Sequence, residues 1–243
     1  MELNICHLYP DLLNVYGDIG NIRILKYRAE KRNIKVNISN VSLKDKFEGS
    51  KYDITFFGGG QDYEQSIVSE DLIQTKKFAV SEYINSGKVF LAICGGYQLL
   101  GKYYTTPDGE KLDGLGVLNI CTDGGSIRFI GNTVIKNEDF NETYVGFENH
   151  SGRTYINDLK PFGKVIVGYG NNGSDGFEGC IYKNTYCTYF HGSLLSKNPE
   201  LADRLIKTAL ERKYGSITLD PLDDTLEEKA KEFIIKREKN IAK

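Results

Sequence analysis

Apolar residues in the first half of the chain follow two alternating patterns. Short apolar runs, each a predicted strand, alternate with stretches in which apolar residues return every three or four positions, as in an amphipathic helix. The predicted strands are residues 3–9, 34–41, 54–57 and 89–93. One helix is predicted to begin at a capping Asp18, and a longer one carries Leu72 and Ile84 on its apolar side, with Gly87 after its end. This alternation is typical of a doubly wound α/β sheet.

The second half of the chain is richer in strands and turns. Predicted strands cover residues 127–135, 144–148, 165–169, 179–182 and 186–190. Asn171-Asn172-Gly173 predicts a turn, and a helix is predicted to start at Asn198-Pro199-Glu200. Because no repeat or low-complexity linker interrupts the chain, we predict one domain over residues 1–215 and a helical tail, docked or frayed, over residues 216–243. The apolar positions of the tail helix are Leu226, Ala230, Phe233 and Ile234.

Composition narrows the class of protein without identifying it. The 243 residues are 40% hydrophobic and 26% charged, which is ordinary for a globular protein, and the formal net charge is −2. This charge argues against nucleic acid or an anionic membrane as a partner. The N-terminus lacks the pattern of a signal peptide, and no apolar run approaches a membrane span. We therefore expect a cytoplasmic protein.

The five cysteines do not form a recognisable metal or disulfide pattern. They are odd in number, widely spaced, and include no Cys-x-x-Cys pair, so neither a disulfide framework nor a metal site is predicted. Most of them are expected to be small buried hydrophobic residues. The cysteines are Cys6, Cys94, Cys121, Cys180 and Cys187.

Cys94 has a different setting from the other four. The apolar strand 89–93 runs directly into it, Gly95 and Gly96 follow, and an apolar helix pattern begins at once. Small residues around a strand-to-helix turn are the layout of a nucleophile elbow. Such a turn presents the thiol at the carboxyl edge of the sheet, next to a helix N-terminus that favours the thiolate. Cys94 is the predicted nucleophile.

A thiolate that attacks a carboxamide needs donors for the developing oxyanion. The amide of Gly95 is one candidate, because it directly follows the nucleophile. Gly58, Gly59 and Gly60 end a neighbouring predicted strand, and their amides can approach a ligand without interference from a Cβ. Gly59, Gly60 and Gly95 are therefore the predicted oxyanion hole.

The attack also needs a base, and the chain has three histidines. His7 lies within the first predicted strand and is assigned a structural role. His191 follows an apolar strand and precedes a glycine, a position from which it can complete a Cys–His pair. His150 lies in a segment that is predicted to be a polar turn. The residues favour His191 as the base and leave His150 as the alternative.

Together these residues resemble the class I glutamine amidotransferases, whose nucleophile motif is Gly-x-Cys-x-Gly-x-Gln. Here Ala92 replaces the first glycine, and Cys94, Gly96 and Gln98 match. The resemblance implies a flavodoxin-like α/β sheet with flanking helices. Most members carry His-x-Glu, whereas this chain has His191-Gly192-Ser193, as in the cobyric acid synthase-like branch with its Cys–His dyad. We therefore expect a backbone carbonyl or a partner's carboxylate to orient the imidazole, and low or partner-dependent activity alone.

Longer segments resemble the GatD family, the glutaminase subunits of lipid II isoglutaminyl synthases, over residues 3–235. This resemblance implies a heterodimer with a MurT-type, Mur-ligase-like subunit that uses ATP and Mg²⁺ to activate the α-carboxylate of D-glutamate in lipid II. Ammonia from L-glutamine then yields D-isoglutamine in peptidoglycan synthesis, and no cofactor is expected in this chain. The family's glutamine-binding arginine falls on Arg128, whose guanidinium suits an α-carboxylate. The matching segments are residues 8–18, 146–154, 168–173 and 189–199.

Two other interpretations remain open at this point. One is the glutaminase half of a different cobyric acid synthase-like enzyme, with a corrinoid-type acceptor. The other is a non-catalytic docking module that keeps the fold. The chain has no phosphate-binding loop motif, so the acceptor chemistry cannot be inferred from it.

Overall fold

A computed structural model describes residues 1–241. Its first sheet is formed by β1 Glu2–Leu8, β2 Lys35–Val41, β3 Ile54–Phe57, β4 Val89–Ile93, β11 Cys180–Tyr182 and β12 Thr185–Thr188. The order is β11-β12-β4-β3-β1-β2, and all strands are parallel except β11 at one edge. Every residue of β3, β4 and β12 is buried, which explains their continuous apolar runs. The predicted α/β sheet of flavodoxin-like order is confirmed.

Helices cover this sheet: α1 Ile19–Glu30, α2 Asp62–Asp71, α3 Lys77–Asn85, α4 Gly95–Leu100 and α5 Pro199–Tyr214. The long predicted helix is in fact α2 and α3, joined by a π-helical turn over residues 72–76. The turn brings the ammonium of Lys76 onto the carboxylate of Asp71, so this buried cation is paired. Gly87 lies after α3 with φ +77°, and its amide donates to the carbonyl of Ile84, which confirms its predicted position.

A second sheet is built around two long antiparallel strands. Its strands are β5 Tyr103–Thr105, β6 Lys111–Asp113, β7 Cys121–Asn137, β8 Glu142–Tyr155, β9 Gly163–Val167, β10 Phe177–Glu178 and β13 Phe190–His191. The chain leaves the first sheet at the end of β12 and joins the second as β13, which pairs with β8. His191 therefore lies where the two sheets meet.

The strands predicted at residues 127–135 and 144–148 were too short, and one predicted turn was wrong. His150 lies inside β8 and is buried, not in a polar turn. Its ring stacks on Tyr189 at 3.6 Å and meets Phe129 edge-on. The segment around His150 looks polar in the sequence because it contains Glu148. In the structure Glu148 is nevertheless buried, since its carboxylate accepts hydrogen bonds from two backbone amides.

A bulge in β7 separates two regular stretches of the hairpin. Gly124 pairs with Gly152 and Phe129 with His150, so residues 125–128 lie opposite a single residue. Arg153 holds the bulge: its Nη2 donates to the carbonyl of Ile127 at 2.5 Å, and its guanidinium lies 3.4 Å from the centre of the Phe129 ring. The bulge brings Arg128 to the surface beside the carboxyl edge of the first sheet.

The C-terminal helix α6, Thr225–Ile241, is docked on the body of the protein. Asp224, just before it, binds Arg28 at 2.5 Å, Glu238 accepts a hydrogen bond from Asn132 at 2.8 Å, and Lys231 pairs with Glu200. Of the apolar positions named for this helix, Leu226 is 78% and Phe233 67% exposed, whereas Ile234 is half-buried. Residues 242–243 of the predicted tail lie outside the described residues.

Among residues 1–241, no helix is both long and apolar enough to cross a membrane.

Candidate active site

Cys94 occupies the sharp turn between β4 and α4. Its backbone has φ 49° and ψ −105°, a strained combination for a residue with a Cβ, as expected of a nucleophile elbow. The turn is fixed by hydrogen bonds from the amide of Cys94 to the carbonyl of Thr188 and from the amide of Gly96 to that of Gly58. The side chain is 7% exposed. Cys94 therefore lies at the carboxyl edge of the sheet, between two neighbouring strands.

His191 reaches Cys94 across the Gly58–Gly60 loop. A methyl group placed on Gly59 would lie 2.7 Å from Cε1 of His191 and 3.1 Å from Cβ of Cys94, so only a glycine fits between them. The imidazole is fully buried, and Tyr16 contacts it edge-on with a ring-centre distance of 4.9 Å. The structure thus brings together the predicted nucleophile and the favoured base.

A carboxylate from this chain orients the imidazole. Oδ1 of Asp18 lies 3.2 Å from Nδ1 of His191, and both side chains are fully buried. The expectation of a backbone carbonyl or a partner's carboxylate was therefore wrong. The expected capping role of Asp18 was also wrong, because its side chain makes no cap bond and Asn14 accepts from the amide of Ile19 instead.

The electrostatic setting favours the charged form of His191. Burial by itself disfavours the imidazolium, but the neighbouring Cys94 and Asp18 outweigh it and raise the pKa of His191 to about 10. Its Nε2 is buried without a hydrogen-bond partner among the described residues. With Nδ1 facing Asp18, Nε2 is the nitrogen left to exchange a proton with the thiol of Cys94.

A cleft of about 400 Å³ opens in front of Cys94. Arg128 lines this cleft and is exposed to solvent; its Nε donates to Oδ1 of Asn149 at 2.5 Å, and its Nη2 donates to the carbonyl of Asn149 at 3.2 Å. The guanidinium is exposed on its outer side, so donors remain for a carboxylate. The lining of the cleft therefore includes both a cation and the thiol. Tyr16, Gln65, Gln98, Tyr104 and His150 also line it.

His150 is one of the residues that form the wall of the cleft. Its Nδ1 lies 2.9 Å from the carbonyl of Gly152, and burial lowers its pKa although Glu148 lies 3.8 Å from its Nε2. Tyr189, on which it stacks, accepts a hydrogen bond from the Nε2 of Gln98. A neutral, stacked imidazole fits a wall residue better than a partner for the thiol.

Residues 4–199 match the CobB/CobQ-like glutamine amidotransferase domain. The chain belongs to this family. It is 52% identical to the lipid II isoglutaminyl synthase subunit GatD of Streptococcus pneumoniae, over 95% of this chain and 90% of that one. It is 46% identical to GatD of Staphylococcus aureus, over 97% of this chain and 96% of the other. The resemblance to the GatD family is confirmed.

A solved structure of a glutamine amidotransferase from Thermotoga maritima has the same fold as this chain. The TM-score is 0.52 at 16% identity, and the match covers 96% of this chain and 93% of the other. At this identity the likeness concerns the fold alone.

The three predicted oxyanion donors have different surroundings in this amidotransferase fold. The amide of Gly59 donates to Oδ2 of Asp18 at 2.9 Å, so it is not free to hold an oxyanion, contrary to the prediction. The amides of Gly60 and Gly95 have no acceptor among the described residues. The amide of Gly96 is occupied by Gly58. Gly60 and Gly95 therefore remain as candidate donors.

Sequence reasoning missed Asp18, although a signal was present. Asp18 follows β1, and Gly58–Gly60 follow β3, its parallel neighbour. Residues that follow adjacent parallel strands meet at one edge of a sheet. A buried aspartate next to the candidate glycine loop could have been inferred from that topology. It was read as a helix cap because an Asp before an apolar-periodic stretch is the usual cap signal.

The elbow leaves no room for a side chain at Gly96. A Cβ there would lie 2.6 Å from the carbonyl oxygen of Phe57 and 2.9 Å from that of Gly58, both backbone atoms. We expect Gly96→Ala to lower the free energy of unfolding by about 1–3 kcal/mol and to lower glutamine hydrolysis, since the elbow must shift. Urea unfolding measures the first effect. Gly49→Ala is the control, because the nearest atom there belongs to a side chain, that of Tyr83, and lies farther away at 3.1 Å; equal losses would contradict the argument.

Proposed function

We propose that this chain is the glutaminase subunit of a lipid II isoglutaminyl synthase, hydrolysing L-glutamine to glutamate and ammonia. The observation that carries the proposal is the juxtaposition of Cys94 and His191 beside a cleft that Arg128 also lines, in a member of the glutamine amidotransferase family. Free glutamine has an α-carboxylate at one end and a carboxamide at the other. The cleft offers a matching cation and nucleophile.

In the first step, the thiolate of Cys94, whose proton is held on Nε2 of His191, attacks the carboxamide carbon. The carbonyl oxygen becomes an oxyanion, which the amides of Gly60 and Gly95 stabilise. The imidazolium then gives its proton to the amide nitrogen, the C–N bond breaks, and ammonia leaves a thioester on Cys94. Nδ1 keeps its hydrogen bond to Asp18 throughout.

In the second step, water hydrolyses the thioester. His191, neutral after the first step, removes a proton from the water, and the resulting hydroxide attacks the thioester carbon. The thiolate leaves as glutamate is released. The imidazolium is then ready to stabilise the thiolate again, which returns the site to its starting charge state.

The names of the two GatD relatives describe them as subunits of a synthase, so a partner is part of this proposal. The partner is a MurT-type, Mur-ligase-like subunit that binds ATP and Mg²⁺ and activates the α-carboxylate of D-glutamate in lipid II. Ammonia is mostly ammonium near neutral pH and is then not nucleophilic. A dry path from Cys94 into the partner keeps it reactive.

The test is reconstitution of both chains with lipid II, ATP and glutamine, followed by mass spectrometry of the stem peptide. We expect a carboxamide in place of the α-carboxylate, with nitrogen derived from the side chain of ¹⁵N-labelled glutamine. Cys94→Ala should abolish transfer from glutamine but preserve amidation with added ammonia, because the partner is intact. Amidation of a corrinoid-type acceptor and not of lipid II would favour the alternative enzyme. Full-length identity of 52% and 46% to GatD proteins supports lipid II.

Arg128 gives this proposal a separate test of substrate binding. We expect Arg128→Met to raise KM for glutamine roughly 10- to 100-fold with little change in kcat. A change of this size corresponds to the loss of a charge-assisted hydrogen bond to the α-carboxylate. Steady-state kinetics separates the two constants. Arg23→Met, on the exposed surface of α1, is the control. A fall in kcat at constant KM would contradict the assignment.

A further inference from the structure

Asp18 contacts both halves of the candidate site with one carboxylate. Oδ1 lies 3.2 Å from Nδ1 of His191, and Oδ2 accepts a hydrogen bond from the amide of Gly59 at 2.9 Å. The side chain is fully buried. A buried carboxylate is costly unless its oxygens are hydrogen-bonded, and these two contacts supply that need.

The backbone around Asp18 is tied to the same glycine loop. The amide of Val15 donates to the carbonyl of Gly59 at 3.1 Å, and Asn14 accepts from the amide of Ile19 at 2.9 Å. Between these bonds, Tyr16 has φ 53° and lies against the ring of His191. The turn before α1 and the loop after β3 therefore form one hydrogen-bonded unit.

We infer that Asp18 is a positioning residue that assembles the base and the oxyanion loop together. One oxygen holds His191 in the tautomer that directs Nε2 to Cys94, and the other fixes Gly59, which lies between His191 and Cys94 and precedes the donor at Gly60. This inference rests on the proposed glutaminase activity. It assigns the orientation of the imidazole to a carboxylate of this chain.

Replacing the carboxylate with an amide would conflict with both contacts. The site presents two donors to Asp18, the amide of Gly59 and the Nδ1–H of His191. An asparagine has one acceptor oxygen and one donor NH₂ group. In Asp18→Asn, either Gly59 loses its acceptor, or Nδ1 must become the acceptor and Nε2 carries the proton. The second arrangement cannot take a proton from Cys94.

The experiment compares wild type, Asp18→Asn and Asp18→Glu, with and without the partner subunit. We expect Asp18→Asn to lower kcat for glutamine hydrolysis about 10²- to 10⁴-fold with KM within a few-fold, by the same ratio in both preparations. Asp18→Glu keeps the charge and should restore part of the rate. Asp11→Asn is the matched control, since Asp11 lies in the same N-terminal loop and its carboxylate contacts the hydroxyl of Ser42 on the surface.

The pH profile distinguishes positioning of the imidazole from a merely structural role. The ionisable groups that face the ring of His191 are Asp18, Cys94 and Tyr16, and Asp18 and Cys94 both favour the imidazolium. Asp18→Asn should therefore move the alkaline limb of kcat/KM to lower pH. A lower unfolding temperature with the limb unmoved would show a structural role only and overturn the inference, as would an unchanged rate.

Alkylation of Cys94 by iodoacetamide keeps this test independent of the proposed function. It needs no glutamine and reports the thiolate that the imidazolium stabilises. We expect slower alkylation near pH 6 in Asp18→Asn than in wild type. If wild type fails to hydrolyse glutamine, the proposed function is wrong, and the alkylation rates still decide the role of Asp18: equal rates overturn it.

Discussion

Cys94→Ala is expected to lower kcat for glutamine hydrolysis by about 10⁴-fold or more. Among the described residues that line the cleft, Cys94 carries the only thiol, and removal of the nucleophile from comparable sites leaves only binding and oxyanion stabilisation. An ammonia-release assay coupled to glutamate dehydrogenase measures the loss.

The matched control for this substitution is Cys121→Ala. Cys121 is the other cysteine that is not fully enclosed, whereas Cys6, Cys180 and Cys187 are buried in the sheets. An electrophilic glutamine analogue should label Cys94 in wild type and leave Cys121 unmodified. Labelling that spares Cys94 would favour a non-catalytic docking module, whereas full activity in Cys94→Ala would overturn Cys94 as the nucleophile. Retained ammonia-dependent amidation by the reconstituted complex would show that the variant chain is still folded.

His191→Gln should lower kcat about 10²- to 10⁴-fold and abolish the alkaline limb of the pH profile. The pKa of His191 is raised to about 10, since Cys94 and Asp18 outweigh the effect of burial. A raised pKa means that the imidazolium persists through neutral pH and is lost as the pH passes about 10. In wild type, kcat/KM should therefore fall near that pH and not near 6.5, the ordinary value for a histidine. Rates measured from pH 6 to 11 test this.

His150→Gln tests the alternative base directly. Burial lowers the pKa of His150, and its ring stacks on Tyr189, so the substitution can disturb the cleft wall and reduce the rate. The alkaline limb should nevertheless remain where it is in wild type, because His191 is unchanged. Loss of the limb in His150→Gln, with the limb intact in His191→Gln, would reverse the two assignments.

The frame of the molecule was predictable from the order of its amino acids. The strands at residues 54–57 and 89–93 have the predicted bounds, because fully buried parallel strands need continuous apolar runs and little else in the chain has them. The elbow at Cys94 was also readable, since small residues must flank so sharp a turn. The cluster of Cys94 with His191 followed from the rule that strand ends meet at one edge. These features are local or are imposed by sheet topology.

The contacts of the polar groups, by contrast, depend on how distant parts of the chain pack together. Whether Asp18 caps a helix or holds an imidazole 173 residues away depends on where its turn packs, and both choices have the same local sequence. The same holds for Gly59, whose amide is used by Asp18, and for His150, which aromatic rings bury. A hydrogen bond is directional and short, so sequence periodicity can place a side chain on a face of the sheet but cannot select its partner.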